Sequence, residues 1–380
     1  MTLLEPWGYH TYNGQAWFNP FEALDDAVAH GITAPQIEFV FPLANKIDWT
    51  SDPFETLDEL YANRAEKLRS EYDYLILMYS GGSDSHQILK TCLKHGIFLN
   101  EVRTCFPMRW VGKVFGKTTS DDPLGVLYEF ENAVAPALKL VKKESPMTRI
   151  TVKDTTDAYT TNGMQEWYKA LWGSRMSGGL HGLFQAIRRT RIASDLQEDA
   201  KQIAGRVGVI IGAEKPPMVL DGSNLYVCFH DTGRIGIEHF WQHGESIAYE
   251  PHMFYWGDPK IVCKQVHKIK RVLEIDPTII GKVDVHKNVI YPDQPKHFQS
   301  EPVYGGLLAE FIGPRALNVA AARTKYYNER YKTISTVEKM TDDPPRKGHL
   351  KRSLLLSRQT RRYHVAELRL HNMGRSHDGA

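Results

Sequence analysis

The sequence has little cysteine and nowhere pairs it. Cys92, Cys105, Cys228 and Cys263 are scattered through 380 residues, and no C-x-x-C occurs. That spacing excludes the common structural zinc sites and redox pairs, and four reduced thiols fit a cytoplasmic protein. An excess of charge of one sign is also missing. The formal net charge is +2, which exerts no general pull toward nucleic acid or membrane. No uninterrupted apolar run approaches the length that spans a bilayer. No basic segment leads into an apolar stretch at the N-terminus, so no signal peptide is expected. His-Glu-x-x-His is absent. His239 and His243, with Glu238 and Glu245 nearby, have a spacing that can bind metal on a helix, but they lack that motif. The Walker A pattern G-x-x-x-x-G-K-[ST] is absent too. Its nearest approach, Gly112-Lys113-Val114-Phe115-Gly116-Lys117-Thr118, is one residue short and reads as a basic loop. No internal repeat is visible. With 42% hydrophobic and 24% charged residues, the composition is that of an ordinary globular chain with enough apolar side chains for a sizeable core.

One stretch carries chemistry. Tyr74-Leu75-Ile76-Leu77-Met78 is an apolar run of strand type that leads through Tyr79 into Ser80-Gly81-Gly82-Ser83-Asp84-Ser85. Ile88, Leu89, Cys92 and Leu93 follow at helical spacing, and Gly96 stands where that helix should stop. Strand, small-residue loop and helix make a phosphate-binding geometry. The glycines let N–H groups converge on an anion, and the helix N-terminus adds partial positive charge. Ser80, Ser83 and Ser85 can donate hydrogen bonds to phosphate oxygens. Asp84 repels phosphate unless a cation lies between them, which implies Mg²⁺ as a metal held at Asp84.

Ser80-Gly81-Gly82-Ser83-Asp84-Ser85 resembles the S-G-G-x-D-S signature of the PP-loop ATP pyrophosphatases. The resemblance covers six residues in the matching strand–loop–helix context. It implies an α/β fold with a parallel sheet and flanking helices, adenine nucleotide α-hydrolase-like (HUP-type), and a loop that binds ATP through Ser80, Gly81, Gly82, Ser83, Asp84 and Ser85. Members cleave ATP between the α and β phosphates, adenylate an acceptor oxygen, and let a nitrogen or sulfur nucleophile displace the AMP. In layout the chain is also similar to PP-loop proteins of bacteriophage genomes.

Along the chain, residues 1–50 are rich in aromatics, among them Trp7, Tyr9, Tyr12, Trp17, Phe18 and Phe21. They read as an irregular cap with a helix over Phe21–Ala29 and a strand over Gln36–Phe41. Residues 51–257 read as the ATP-binding α/β domain. A helix opens at Ser51-Asp52-Pro53. Strands at Glu101–Phe106, Arg149–Lys153 and Gly205–Ile211 alternate with helices at Pro123–Val141 and His181–Ala204. Such an alternation implies right-handed crossovers and ligands at the carboxyl ends of the strands. Asp154-Thr155-Thr156-Asp157 either faces that ligand or is turn chemistry. Arg188, Arg189 and Arg191 either meet phosphates or lie on a solvated helix face. The apolar run Val207–Ile211 ends in Gly212-Ala213-Glu214-Lys215-Pro216-Pro217. Gly212 and Glu214 are read as nucleotide-facing. Lys215 can neutralise departing pyrophosphate, and Glu214 can hold Mg²⁺ or orient the nucleophile. A plain strand-end turn is the alternative. Asn224–His230 and Arg234–Phe240 read as two antiparallel strands. Residues 258–345 read as a mainly helical region that begins at Asp258-Pro259. Residues 346–380 form a basic tail: from Arg346 to Arg375 it holds nine Lys or Arg and one acid, Glu367. That tail either engages nucleic acid or is solvated and partly helical.

The expected activity is therefore that of an ATP-dependent adenylating ligase, with Asp84 and Lys215 as catalytic residues and ATP and Mg²⁺ as cofactors. With Met1-Thr2 where asparagine-synthetase-type enzymes carry a cysteine, glutamine hydrolysis within the chain is not expected, so ammonia or an amine is the favoured nucleophile. The cysteine clusters of deazaguanine and thiolation enzymes are missing as well. A non-catalytic binding or structural protein, such as a virion component, is one alternative. A tRNA-modifying enzyme that uses the basic tail is another.

Overall fold

The structure, a computed structural model, describes residues 8–17, 20–32, 35–106, 130–154, 195–196, 198–212, 218–230, 247–250, 258–275, 289–290 and 360–368. The apolar run at 74–78 becomes β4 (Tyr74–Met78), with Leu75, Ile76 and Leu77 all buried. A strand buried on both faces belongs in the interior of a parallel sheet, and β4 is the middle strand of five. With β5 (Glu101–Phe106), β6 (Arg149–Asp154), β7 (Val207–Ile211) and β10 (Ile247–Glu250), the order across the sheet is β10-β7-β4-β5-β6. All four neighbouring pairs run parallel. The chain steps from β4 outward through β5 to β6, then returns across the sheet to lay β7 on the other side of β4. The order of construction reverses between β4 and β7.

Helices cover the sheet as side-chain alternation dictates. Leu75, Leu77, Tyr79, Val102, Phe106 and Ile210 share a cluster with four helices: α3 (Leu57–Glu71), α4 (Ser83–Lys94), α5 (Ala135–Glu144, entered through a π-turn at Phe130–Val134) and α6 (Pro259–Ile275). On the opposite face, Ile76, Val207 and Val209 pack on Leu196 and Ala200 of the returning segment. This is an α/β architecture with a parallel sheet and flanking helices. Strands β5 and β6 lie where the sequence pattern puts them.

Four features differ from expectation. The N-terminal region is a three-stranded antiparallel sheet, β2-β1-β3, in place of an irregular cap. Its hairpin of β1 (Tyr9–Tyr12) and β2 (Gln15–Trp17) turns at Asn13-Gly14, both at positive φ, the signature of a two-residue type I′ loop. β3 (Glu38–Val40) pairs with β1, and α1 (Pro20–Ala29) packs Ala23, Leu24 and Ala27 on Tyr12 and Ile37. Second, a short helix α2 (Pro42–Asn45) precedes α3, and α3 begins at Leu57 instead of at Ser51-Asp52-Pro53. Thr56 and Glu59 form a capping box, whereas Asp52 turns to α6, meeting Lys264 at 2.9 Å and Arg271. Third, Asn224–His230 is β9, but its hairpin partner is β8 (Met218–Asp221), through a Gly222-Ser223 loop. Residues 234–240 lie outside the described residues. Fourth, part of the basic tail is neither helical nor a loose appendage. Thr360–Glu367 forms β12, antiparallel to β9, in a second sheet ordered β11-β8-β9-β12 with β11 at Val289–Ile290. Val365 and Leu368 join the same core cluster as α6 and the main sheet. Among the described residues no helix is long and apolar enough to cross a membrane.

Candidate nucleotide site

The Ser80–Ser85 loop leaves the carboxyl end of β4 beside the carboxyl end of β7. That is the topological switch point, where an open parallel sheet leaves a crevice for a ligand. Tyr79 N donates to the Arg103 carbonyl at 2.7 Å, which extends the β4–β5 ladder to the edge of the loop. Gly81 then takes φ +78°, a conformation that costs an L side chain about 1–2 kcal/mol. Gly82 is the N-cap of α4, so no side chain caps the helix. Asp84 sits in its first turn, where a carboxylate also favours the helix dipole.

The serines divide their work. Ser85 is 2% exposed. Its hydroxyl donates to the Gly82 carbonyl at 3.1 Å and accepts from Ser80 N at 3.3 Å. Ser85 therefore braces the loop internally, within reach of the Gly82 carbonyl and of Ser80 Oγ. Ser80 Oγ accepts from Gly82 N at 3.3 Å and lies 3.2 Å from Ser85 Oγ. Ser83 contributes the first helical position.

Gly212 closes the site from the other strand. A Cβ built on it would fall 2.5 Å from Ser85 N, 2.9 Å from Ser85 Cα and 3.0 Å from the Asp84 carbonyl carbon. The end of β7 and the start of α4 are thus in backbone contact, which only glycine permits. The next residues, including Glu214 and Lys215, lie outside the described residues, as do Asp157, Arg188, Arg189, Arg191, His239, His243 and the loop at Gly112–Thr118.

Polar groups buried around the loop were not singled out from sequence. Tyr79 Oη and His86 Nδ1 are 3.0 Å apart beneath it. Tyr61 of α3 accepts a hydrogen bond from Gln265 Nε2 of α6 at 3.1 Å. Burial pushes the Tyr61 phenol well above its usual range, and the Asp84 charge acts in the same direction, opposed by the Gln265 bond. The position of His86, directly after Ser85, was the available signal. Tyr61 and Gln265 had none, because their pairing depends on α3 packing against α6.

On the face opposite α4, Arg103 is buried with Glu101, its Nε donating to Glu101 Oε1 at 2.6 Å and its Nη1 to Asp199 at 2.7 Å. Lys153 meets the same Asp199 at 3.0 Å. Burial works against the Arg103 charge, and the bonds to Glu101 and Asp199 outweigh it, so its pKa is raised. This network fastens the returning segment to β5 and β6.

Among the described residues no three His, Cys, Asp or Glu side chains converge to hold a metal by themselves. A single carboxylate such as Asp84 still suits Mg²⁺ in its usual mode, with one or two carboxylates and phosphate oxygens supplied by the substrate. No protein-family model matches the chain, and no curated protein matches it.

Proposed function

We propose that the chain is a PP-loop ATP pyrophosphatase on a HUP-type sheet, an adenylating ligase that forms AMP and pyrophosphate. One observation carries this reading: the S-G-G-x-D-S loop occupies the switch point of a parallel sheet, in backbone contact with Gly212 of the neighbouring strand. A glycine-capped helix N-terminus beside a left-handed glycine offers convergent N–H groups to phosphate oxygens. In this reading Asp84 would hold Mg²⁺, whose charge would offset the repulsion between carboxylate and phosphate. An acceptor oxygen attacks the α-phosphorus as the bond to the bridging oxygen of pyrophosphate breaks. Ammonia or an amine then displaces AMP from the acceptor. Lys215, three residues after Gly212 in the sequence, is assigned as the cation for the departing pyrophosphate, and Glu214 as the second acid. Positioning and electrostatics provide the rate enhancement.

The test is direct. The purified chain is incubated with MgATP, ammonia and a panel of carboxylate, amide and carbonyl acceptors, and AMP and pyrophosphate are measured. Equal amounts of both, dependent on an acceptor, are expected. Asp84→Ala lowers the rate by at least about 100-fold and shifts the urea unfolding curve by no more than the loss of its helix-dipole contribution, about 1 kcal/mol. A chain that neither forms AMP nor binds MgATP overturns the proposal. Binding without turnover assigns the site to a non-catalytic nucleotide-binding protein.

A further inference from the structure

The two ends of the glycine loop are tied together beneath it. Tyr79 precedes the loop and His86 follows it, and both are buried, at 2% and 4% exposure. Tyr79 is fixed to the sheet by its N–H bond to the Arg103 carbonyl, and His86 to the helix by its N–H bond to the Gly82 carbonyl at 3.0 Å. The side-chain contact of 3.0 Å between Tyr79 Oη and His86 Nδ1 spans the gap between sheet and helix, and the rings meet edge-on with centroids 6.2 Å apart. The phenol can donate to an unprotonated Nδ1 or accept from a protonated one, so either imidazole tautomer closes the contact. Phenylalanine and leucine would fill the same space without a polar group to satisfy. Packing alone thus gives no reason for a hydroxyl and a ring nitrogen here.

We propose that Tyr79 and His86 form a strut that holds the Ser80–Ser85 loop in its anion-receiving shape before a ligand arrives, which makes both of them positioning residues for phosphate binding. The loop holds two adjacent glycines, whose freedom makes ordering costly. A loop ordered in advance spares the ligand that cost. The functional half of this inference rests on the nucleotide reading above.

Two measurements on the full chain test it, with Tyr79→Phe, His86→Gln and His86→Asn. Asparagine sets its amide oxygen near the place of Nδ1, and glutamine does not. In the ligand-free chain, amide hydrogen exchange at Tyr79, Ser80, Gly82 and His86 is expected to quicken about tenfold in Tyr79→Phe and His86→Gln. It should stay near wild type in His86→Asn, while the amides of α6 are unchanged in all three. Exchange that is unchanged at the loop, or raised equally in α6, overturns the strut. In MgATP titrations, Tyr79→Phe and His86→Gln are expected to bind about tenfold more weakly, with His86→Asn restoring affinity. Wild-type affinity in the first two variants overturns the positioning role. If wild type itself does not bind MgATP, the nucleotide reading fails, and the exchange experiment still decides the strut. Should Tyr79→Phe unfold under assay conditions, the two His86 variants carry the comparison.

Discussion

Single atoms matter most where β7 meets α4. At Gly212 the colliding atoms are backbone, Ser85 N and Cα, which cannot swing aside as a side-chain tip can. An added methyl must push the strand end from the helix start, an overpacking that costs typically about 1–3 kcal/mol. Gly212→Ala is therefore expected to lower the urea midpoint and to weaken MgATP binding together. Gly96→Ala serves as its control. Gly96 has φ +66° with open space around it, so its variant loses stability through backbone strain alone and binds nucleotide as wild type does. His86 sets a pH response at the same scale. Its folded pKa, about 4, lies below the unfolded value of about 6.5, so the unfolded chain binds the extra proton between them. That contribution is fully present above pH 6.5 and is lost as pH falls toward 4, amounting to about 3 kcal/mol at most. His267, lowered chiefly by burial, and Asp58, lowered chiefly by its Lys94 hydrogen bond, lose stability on acidification too. The His86 share is the difference in slope between wild type and His86→Asn in urea midpoints measured from pH 7 to pH 4.5. Equal slopes would remove His86 from the acid response.

Elements were legible where local pattern and tertiary role coincide. β4, β5, β6 and β7 are short apolar or alternating runs bounded by turns, and α4 and α6 carry apolar residues at helical spacing beside a glycine or a proline. Elements went astray where a distant partner decides. Ser51-Asp52-Pro53 has every mark of a helix start, yet Asp52 is taken by Lys264 and Arg271, and the Pro53 carbonyl accepts from Lys264 Nζ at 2.7 Å. The helix waits for Thr56 and Glu59, whose reciprocal hydrogen bonds of 3.2 and 2.8 Å satisfy two backbone donors, worth about 1 kcal/mol for the cap. β12 was hidden by its charge. Tyr363 and Val365 alternate with Arg362 and His364 at the period of a half-buried strand, but the number of basic residues around them suggested a tail. For the site, the loop was legible as a motif and Gly212 as a strand-end glycine. That both strand ends face one site was expected from the pattern, and β7 does lie beside β4; their direct backbone contact at Gly212 was not legible, because no local pattern encodes strand order or a contact that close.

For the molecule as a whole, the C-terminal strand is the most distant part of the core in sequence and one of the most closely integrated. β12 supplies the second sheet with the partner of β9, and Val365 and Leu368 pack in the cluster that also holds α3, α4 and α6. Tyr363 lies 5.2 Å from the Trp49 ring and 5.7 Å from Phe229, and its hydroxyl donates to Asn45 Oδ1 at 2.7 Å. Removing the chain from residue 360 onward deletes these contacts and leaves β9, with Leu225, Val227 and Phe229 fully buried in the intact chain, as an unpaired apolar edge open to self-association. Val365 and Leu368 together account for about 3–6 kcal/mol of burial, a large share of the roughly 5–15 kcal/mol that keeps a domain folded. A chain ending at residue 359 is thus expected to aggregate or to unfold at markedly lower urea. Arg362→Gln, at an exposed position on the same strand, is expected to leave the midpoint in place, since surface changes of this kind fall within about 0.5 kcal/mol. Tryptophan fluorescence follows both, because Trp49 is packed against Tyr363. A truncated chain with an unchanged midpoint would show that β12 adds nothing to the core. A large shift for Arg362→Gln would show that this strand acts through its charge, as the composition of the tail suggested, and not through the side chains it buries.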